Sequence, residues 1–212
     1  MMTSERPTVF IIDDDPSARR GMSRLIQAAG MSVEAYGSAI DFLKREHHDG
    51  VGCIVLDVKM PGLDGPQLQA ELAKADYTLP IIFVSGHSDV PIAAAAMKRG
   101  AVDFLTKPVD GDHLLKAIED SLQRDRENRK AFSDQEKIRK RLNTLSPREY
   151  EVMTFVIAGM LNKQIAYALS ITEDTVKVHR RRIMRKMGAG SLAELVRLAE
   201  SVNVKPAEVD DV

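Results

Sequence analysis

Residues 10–20 read FIIDDDPSARR. The apolar run Val9-Phe10-Ile11-Ile12 stops abruptly at three carboxylates, Asp13, Asp14 and Asp15. Like charges at a strand end need a reason, and the neighbouring residues supply two. Asp15 precedes Pro16, the order of a helix cap followed by proline at the first helical position. Asp15 is therefore expected to start a helix. Asp13 and Asp14 are left at the carboxyl end of the strand, where an α/β sheet places its sites.

Four further apolar runs follow: SVEAY (32–36), CIVL (53–56), PIIFV (80–84) and AVDFL (101–105). Between them lie segments of helical spacing, such as Met22, Leu25, Ile26 and Ala29, with stops at Gly30, Gly37, Gly86 and Gly100. Continuously apolar strands alternating with helices predict a parallel sheet covered on both faces. Five such units in about 125 residues suit a flavodoxin-like, doubly wound, five-stranded α/β domain. Its last helix starts near Asp112, with Leu114, Leu115, Ile118 and Leu122 on one face, and runs into the charged stretch QRDRENRK. Ser133 and Glu136 have capping-box spacing, so a second short helix is expected to restart there.

The rest reads as an all-α domain of four helices. Ser146-Pro147-Arg148-Glu149 combines cap, proline and a returning glutamate. Gly159 closes that helix, and a short helix is predicted over 162–169. Ser170-Ile171 makes a turn, Thr172 caps a third helix through Met187, and Ser191 opens a fourth. The expected division is 1–125, a charged helical linker 126–142, and 143–212.

The formal charge of −1 over 212 residues conceals an asymmetry. Residues 1–120 carry 12 Lys/Arg against 18 Asp/Glu, whereas 121–199 carry 17 against 9. An acidic half and a basic half imply different partners, nucleic acid being a natural one for the second. The single cysteine, Cys53, lies in an apolar run, so it reads as a small hydrophobe, and no disulfide framework exists within one chain. No signal peptide is read at the start, and no stretch approaches the roughly 20 apolar residues of a membrane span. A cytoplasmic location without membrane contact is expected.

The third run also ends in an acid, Asp57. In a doubly wound sheet its strand neighbours the first, so three carboxylates should converge. At about 4 Å and an effective dielectric near 20, each ionised pair costs roughly 4 kcal/mol. Such a cluster takes up protons or holds a hard cation, and Mg²⁺ suits it. The fourth strand end adds Ser85 and the fifth adds Lys107. A hydroxyl and an ammonium above acids and a metal make a phosphoryl site with a carboxylate nucleophile. A structural salt bridge from Lys107 to one aspartate is the simpler alternative.

DDD, LDVKMPGLDG, VSGH and FLTKP, in this order, resemble the receiver domain of two-component response regulators over roughly 7–125. The resemblance implies Asp57 as phosphoacceptor and Asp14 and the Lys59 backbone carbonyl as Mg²⁺ ligands. Asp13 would act mainly through a metal-bound water. It implies Lys107 against the phosphoryl group, a cis peptide before Pro108, Ser85 as switch hydroxyl and Phe104 as switch aromatic. Many relatives have Thr and Tyr at those two positions. A haloacid-dehalogenase-type hydrolase would carry a second Asp two residues after the nucleophile, where this chain has Lys59. His87 reads as a surface loop residue rather than a proton shuttle.

In the basic half, residues 162–187 read NKQIAYALSITEDTVKVHRRRIMRKM. Ile165, Leu169, Ile171, Val176, Ile183 and Met187 can pack inward, leaving Lys/Arg at 177, 180, 181, 182, 185 and 186 for an exposed cationic face. Such a helix can enter a major groove. LSPREYEVM, NKQIAYAL and TVKVHRRRIMRKM resemble the LuxR-type helix-turn-helix of NarL/FixJ regulators over about 143–200, the FixJ type in particular. The resemblance implies that Lys177, Val178 and Arg181 face bases. Asn162, Lys163, Thr172, Thr175 and Arg185 would face phosphates, and His179 would pack or touch a phosphate. Leu192, Leu195 and Val196 would serve core and dimer contacts. Together the two resemblances imply a sensor histidine kinase, promoter DNA, RNA polymerase and a phosphorylation-promoted homodimer as partners. A C-terminal domain that docks protein instead of DNA is the alternative.

Overall fold

The computed structural model describes residues 6–208 except 47, 76 and 87–89; His87 thus lies outside the described residues. The chain divides into two units, Met1–Arg129 and Lys130–Val212.

The first unit alternates strand and helix: β1 (Thr8–Ile12), α1 (Pro16–Ala28), β2 (Ser32–Tyr36), α2 (Ala39–Leu43), β3 (Gly52–Asp57), α3 (Gly65–Lys74), β4 (Ile81–Ser85), α4 (Val90–Lys98) and β5 (Asp103–Thr106). The strands form one parallel sheet in the order β2-β1-β3-β4-β5. β1, β3 and β4 are buried along their whole length, which explains their lack of apolar–polar alternation. One face packs Phe10, Ile54, Leu56, Leu68 and Phe83, and the other packs Val9, Ile26, Val55, Ile118 and Leu122. β5 begins two residues later than expected. The Ala101 N–H is used to close α4 on the Ala96 carbonyl, and only from Asp103 does the strand pair in register with β4.

α5 (Gly111–Leu142) is one unbroken helix of 32 residues and crosses the boundary between the units. The restart expected at Ser133 does not occur. No Gly or Pro interrupts this span, and Lys137–Asp134 and Arg139–Glu136 pairs at 2.8 and 3.3 Å support it from its own surface. Within the first unit, α5 is tied down by the buried carboxylate of Asp125. Its Oδ2 accepts from the Gly52 N–H at 3.0 Å and from Arg129 at 2.7 Å.

The second unit holds α6 (Pro147–Ile157), α7 (Asn162–Ala168), α8 (Glu173–Met187) and α9 (Leu192–Ser201). Val152, Val156, Ile165, Val176, Ile183, Met187 and Leu195 form its core, with Ile138 and Leu142 of α5 packed against them. The Ser146–Glu149 capping box forms in both directions, and Gly188 closes α8 in the left-handed region at φ 69°. No helix of the described residues is long and apolar enough to cross a membrane.

Candidate functional site

Asp15 caps α1 as expected, its side chain accepting from the Ser17 N–H at 2.7 Å. Because Ile12 stands in register with Leu56, the next residues, Asp13 and Asp57, come side by side. Carboxylate oxygens of Asp13, Asp14 and Asp57 all lie within 4.8 Å of one another. Asp13 and Asp57 are buried and Asp14 is exposed.

Lys107 reaches both buried acids, at 2.7 Å to Asp13 and 3.1 Å to Asp57. The simpler alternative of a salt bridge is thus present, but with two aspartates rather than one. One ammonium faces three carboxylates, which leaves a formal surplus of two negative charges. Burial pushes the Asp57 carboxyl above the ordinary range; the Lys107 ammonium opposes this and the Asp13 and Asp14 charges add to it. For Lys107, burial disfavours the ammonium, but its bonds to Asp13 and Asp57 outweigh that and hold its pKa above the ordinary value. Hard oxygen donors with surplus charge are the donor set that Mg²⁺ prefers.

Ser85 is buried at the end of β4, and its carbonyl accepts from the Lys107 N–H at 2.7 Å. The Lys107–Pro108 peptide is cis, as the resemblance implied. Phe104 is partly buried and stacks on Phe83, with centroids 6.3 Å apart. Lys59 is exposed in the loop after β3. Cys53 is fully buried; burial, aided by the Asp125 charge, pushes its thiol far above the reactive range. Two supports were not read from the sequence. Arg19 donates to the Asp13 carbonyl, and Gly65 sits where a Cβ would collide with the Asp57 carbonyl oxygen. The Asp-Gly step before α3 was the available signal for Gly65, whereas nothing local marked Arg19.

In the second unit, α7, a turn with Ser170 at φ 52°, and α8 form a helix-turn-helix. Thr172 caps α8 through the Thr175 N–H. Lys163, Thr172, Lys177, Val178, Arg181 and Arg185 are exposed, and Asn162 and Thr175 are half-buried. Lys177, Val178, Arg181 and Arg185 fall in one sector of about 100° at 3.6 residues per turn, opposite the buried Val176, Ile183 and Met187. The cationic face is smaller than the sequence suggested. Lys186 turns inward, 2.6 Å from the buried carboxylate of Glu149 and 2.8 Å from the Thr144 carbonyl. Arg141 of α5 donates to the Met187 carbonyl at 3.1 Å, and Arg148 donates to the Leu169 carbonyl at 2.6 Å. Two guanidiniums thus satisfy the carboxyl ends of both helices of the motif. His179 is half-buried on α8, its Nδ1 without a hydrogen-bond partner.

An acid-lined, doubly wound domain joined to a helix-turn-helix unit is the architecture of a two-component response regulator. Residues 9–119 match the family described as response regulator receiver domain, and residues 143–199 match bacterial regulatory proteins, luxR family. Nodulation protein W of Bradyrhizobium diazoefficiens is 43% identical over 201 residues, 95% of this chain and 88% of that protein. The solved structure of response regulator StyR superimposes with a TM-score of 0.80 at 44% identity, covering 92% of this chain and 98% of that one. Full-length FixJ from B. japonicum gives 0.58 at 40% identity, covering 94% and 98%. The chain belongs to the response regulators with a receiver and a LuxR-type DNA-binding domain, the group that includes FixJ, TodT and nodulation protein W. It is a family of transcription regulators, not of catalytic enzymes.

Proposed function

We propose that Asp57 accepts a phosphoryl group from a sensor histidine kinase and that this controls promoter binding by the second unit. The observation that carries the reading is the convergence of Asp13, Asp14 and Lys107 on Asp57 from three strand ends, in one chain with an exposed basic recognition helix. A carboxylate oxygen of Asp57 would attack phosphorus as the phosphorus–nitrogen bond to the donor histidine breaks. Lys107 would then meet a phosphoryl oxygen. Asp13, Asp14, Asp57 and the Lys59 carbonyl would hold Mg²⁺, which when bound neutralises the transferring oxygens. A cavity of about 360 Å³ lined by Gly21, Met22, Leu25 and Lys107 lies beside this pocket, where a donor protein could reach it.

In the phosphorylated state Ser85 is drawn inward and Phe104 follows, changing the surface around α4 and β5. That change promotes receiver dimerisation or frees the DNA-binding domain, and its size is bounded by the differential contacts of the two states. The functional division is 1–125 for the receiver, 126–142 for the linker and 143–212 for the DNA-binding domain. RNA polymerase is the partner downstream of promoter binding. The setting for all of these partners is the cytoplasm.

The test is capture of fragmented genomic DNA by the full-length protein, with and without Mg²⁺-beryllofluoride, followed by sequencing. Beryllofluoride stands in for the phosphoryl group. Sites enriched only in its presence are expected; equal enrichment in both states would overturn phosphorylation control. No enrichment in either state would favour a domain that docks protein. Within α8, Arg181→Ala should relax base preference, by about 1–3 kcal/mol at the position it reads. Lys163→Ala should weaken binding to all duplexes alike and lower the salt dependence by about one counterion. Uniform loss for Arg181→Ala, measured on specific and scrambled duplexes, would make it a phosphate contact instead.

A further inference from the structure

The stripe that α8 presents outward is not wholly cationic. At 3.6 residues per turn, Asp174 falls in the same sector as Lys177, Val178, Arg181 and Arg185, and its side chain is 89% exposed. It stands in the first turn, the part of a recognition helix that meets base edges. An acid facing a polyanion weakens binding, so its place there calls for a compensating contact. Helix initiation does not supply one. Thr172 already caps α8, and Glu173, which lies off the stripe, already provides an acid for the helix dipole. Lys177 lies 2.9 Å from the Asp174 carboxylate and, by that hydrogen bond, holds its pKa below the ordinary range. The carboxylate is therefore ionised and able only to accept hydrogen bonds.

We infer that Asp174 is a specificity-determining residue that reads cytosine, its carboxylate accepting from the exocyclic N4 amino group in the major groove. This rests on α8 being the groove-entering helix. Among base edges in that groove only cytosine and adenine offer an amino donor, and a carboxylate suits cytosine because adenine also presents the N7 acceptor beside it. The adjoining Lys177 ammonium completes the recognition, since the guanine paired with that cytosine presents O6 and N7 acceptors. Guanine or thymine in place of the cytosine would set an acceptor against the carboxylate. Asp174 therefore discriminates mainly by penalising wrong bases.

The experiment is selection of binding sites from a random duplex library by the full-length protein with Mg²⁺-beryllofluoride. Wild type, Asp174→Ala, Asp174→Asn and Arg181→Ala are compared. A cytosine position in the wild-type motif should lose about tenfold to a hundredfold of its preference in Asp174→Ala. Affinity for an unrelated duplex should rise, because a negative charge has left the interface. In Asp174→Asn the same position should turn toward adenine, which an amide can contact at N6 and N7. An Asp174→Ala motif identical to wild type, with the Arg181→Ala motif altered, would overturn the assignment of Asp174 alone. Identical motifs for all the variants would overturn the placement of α8 in the groove. Asp174 is exposed on α8, and the unrelated-duplex affinity of each variant reports an intact domain.

Discussion

Asp57→Asn should abolish covalent phosphorylation by a small-molecule phosphodonor, with no phosphoprotein detectable by intact mass. The amide preserves the side chain's size and can still accept from Lys107, now 3.1 Å from Asp57. It is no longer an anionic nucleophile. The beryllofluoride-dependent changes in dimerisation and DNA binding should vanish with it. Asp13 is the acid best placed to compete, but both of its oxygens are engaged, one by the Asp15 N–H at 2.9 Å and the other by Lys107 at 2.7 Å. Asp14 is exposed, and Asp14→Asn should slow incorporation without eliminating it, by weakening the cation site. Stoichiometric phosphate on the Asp57→Asn protein would move the acceptor elsewhere in the pocket.

The second large effect concerns a lysine that the sequence counted on the exposed cationic face of α8. Lys186→Met should destabilise the second unit by about 3 kcal/mol, near the lower end for removing one partner of a buried ion pair. The lower end applies because Lys186 remains 30% exposed while Glu149 is only 4% exposed. The salt dependence of DNA binding should stay near that of wild type, since the ammonium is held by Glu149 and the Thr144 carbonyl. Urea titration followed at resolved methyl resonances of Val176 and Ile183 measures the loss within this unit. Unchanged stability with a reduced salt slope would place Lys186 on the DNA instead.

The pH dependence has a definite sign. The hydrogen bond from Lys186, then that from the Ser146 N–H, holds Glu149 below its ordinary value of 4.5. A depressed carboxyl contributes stability that is fully present above the unfolded value and is lost as pH falls through the folded one. Wild type should therefore lose part of its stability on acidification below about pH 4.5, and Lys186→Met should lose much less.

Much of the molecule is legible in local pattern. Buried parallel strands are continuous apolar runs, and their carboxyl ends are where a doubly wound sheet assembles chemistry. Asp13, Asp57 and Lys107, whose ammonium lies within 3.1 Å of both carboxylates, were accordingly readable as one group from the strand ends alone. Caps such as Asp15, Ser146 and Thr172 act over three residues, so their signatures are complete within a short window. The inward face of α8 follows from helical period alone.

Long-range partners were not legible. Lys186 carries the same charge as Arg185 and sits beside it, yet one is exposed and the other is drawn to Glu149, 37 residues away. The Ser133 start has the right spacing, but no Gly or Pro breaks the backbone near it, and α5 runs through it without interruption. Gly65 is required because the Asp57 carbonyl occupies the space of a Cβ; the Asp-Gly step marks the position but not the distant atom that crowds it. By itself the sequence determined the strands, the caps and the group of residues at the strand ends, because each depends on periodicity or nearest neighbours. Only the tertiary structure decided which flexible charged side chains turn inward and which backbone atoms crowd the pocket. Those choices depend on partners that the fold alone brings within a few ångströms.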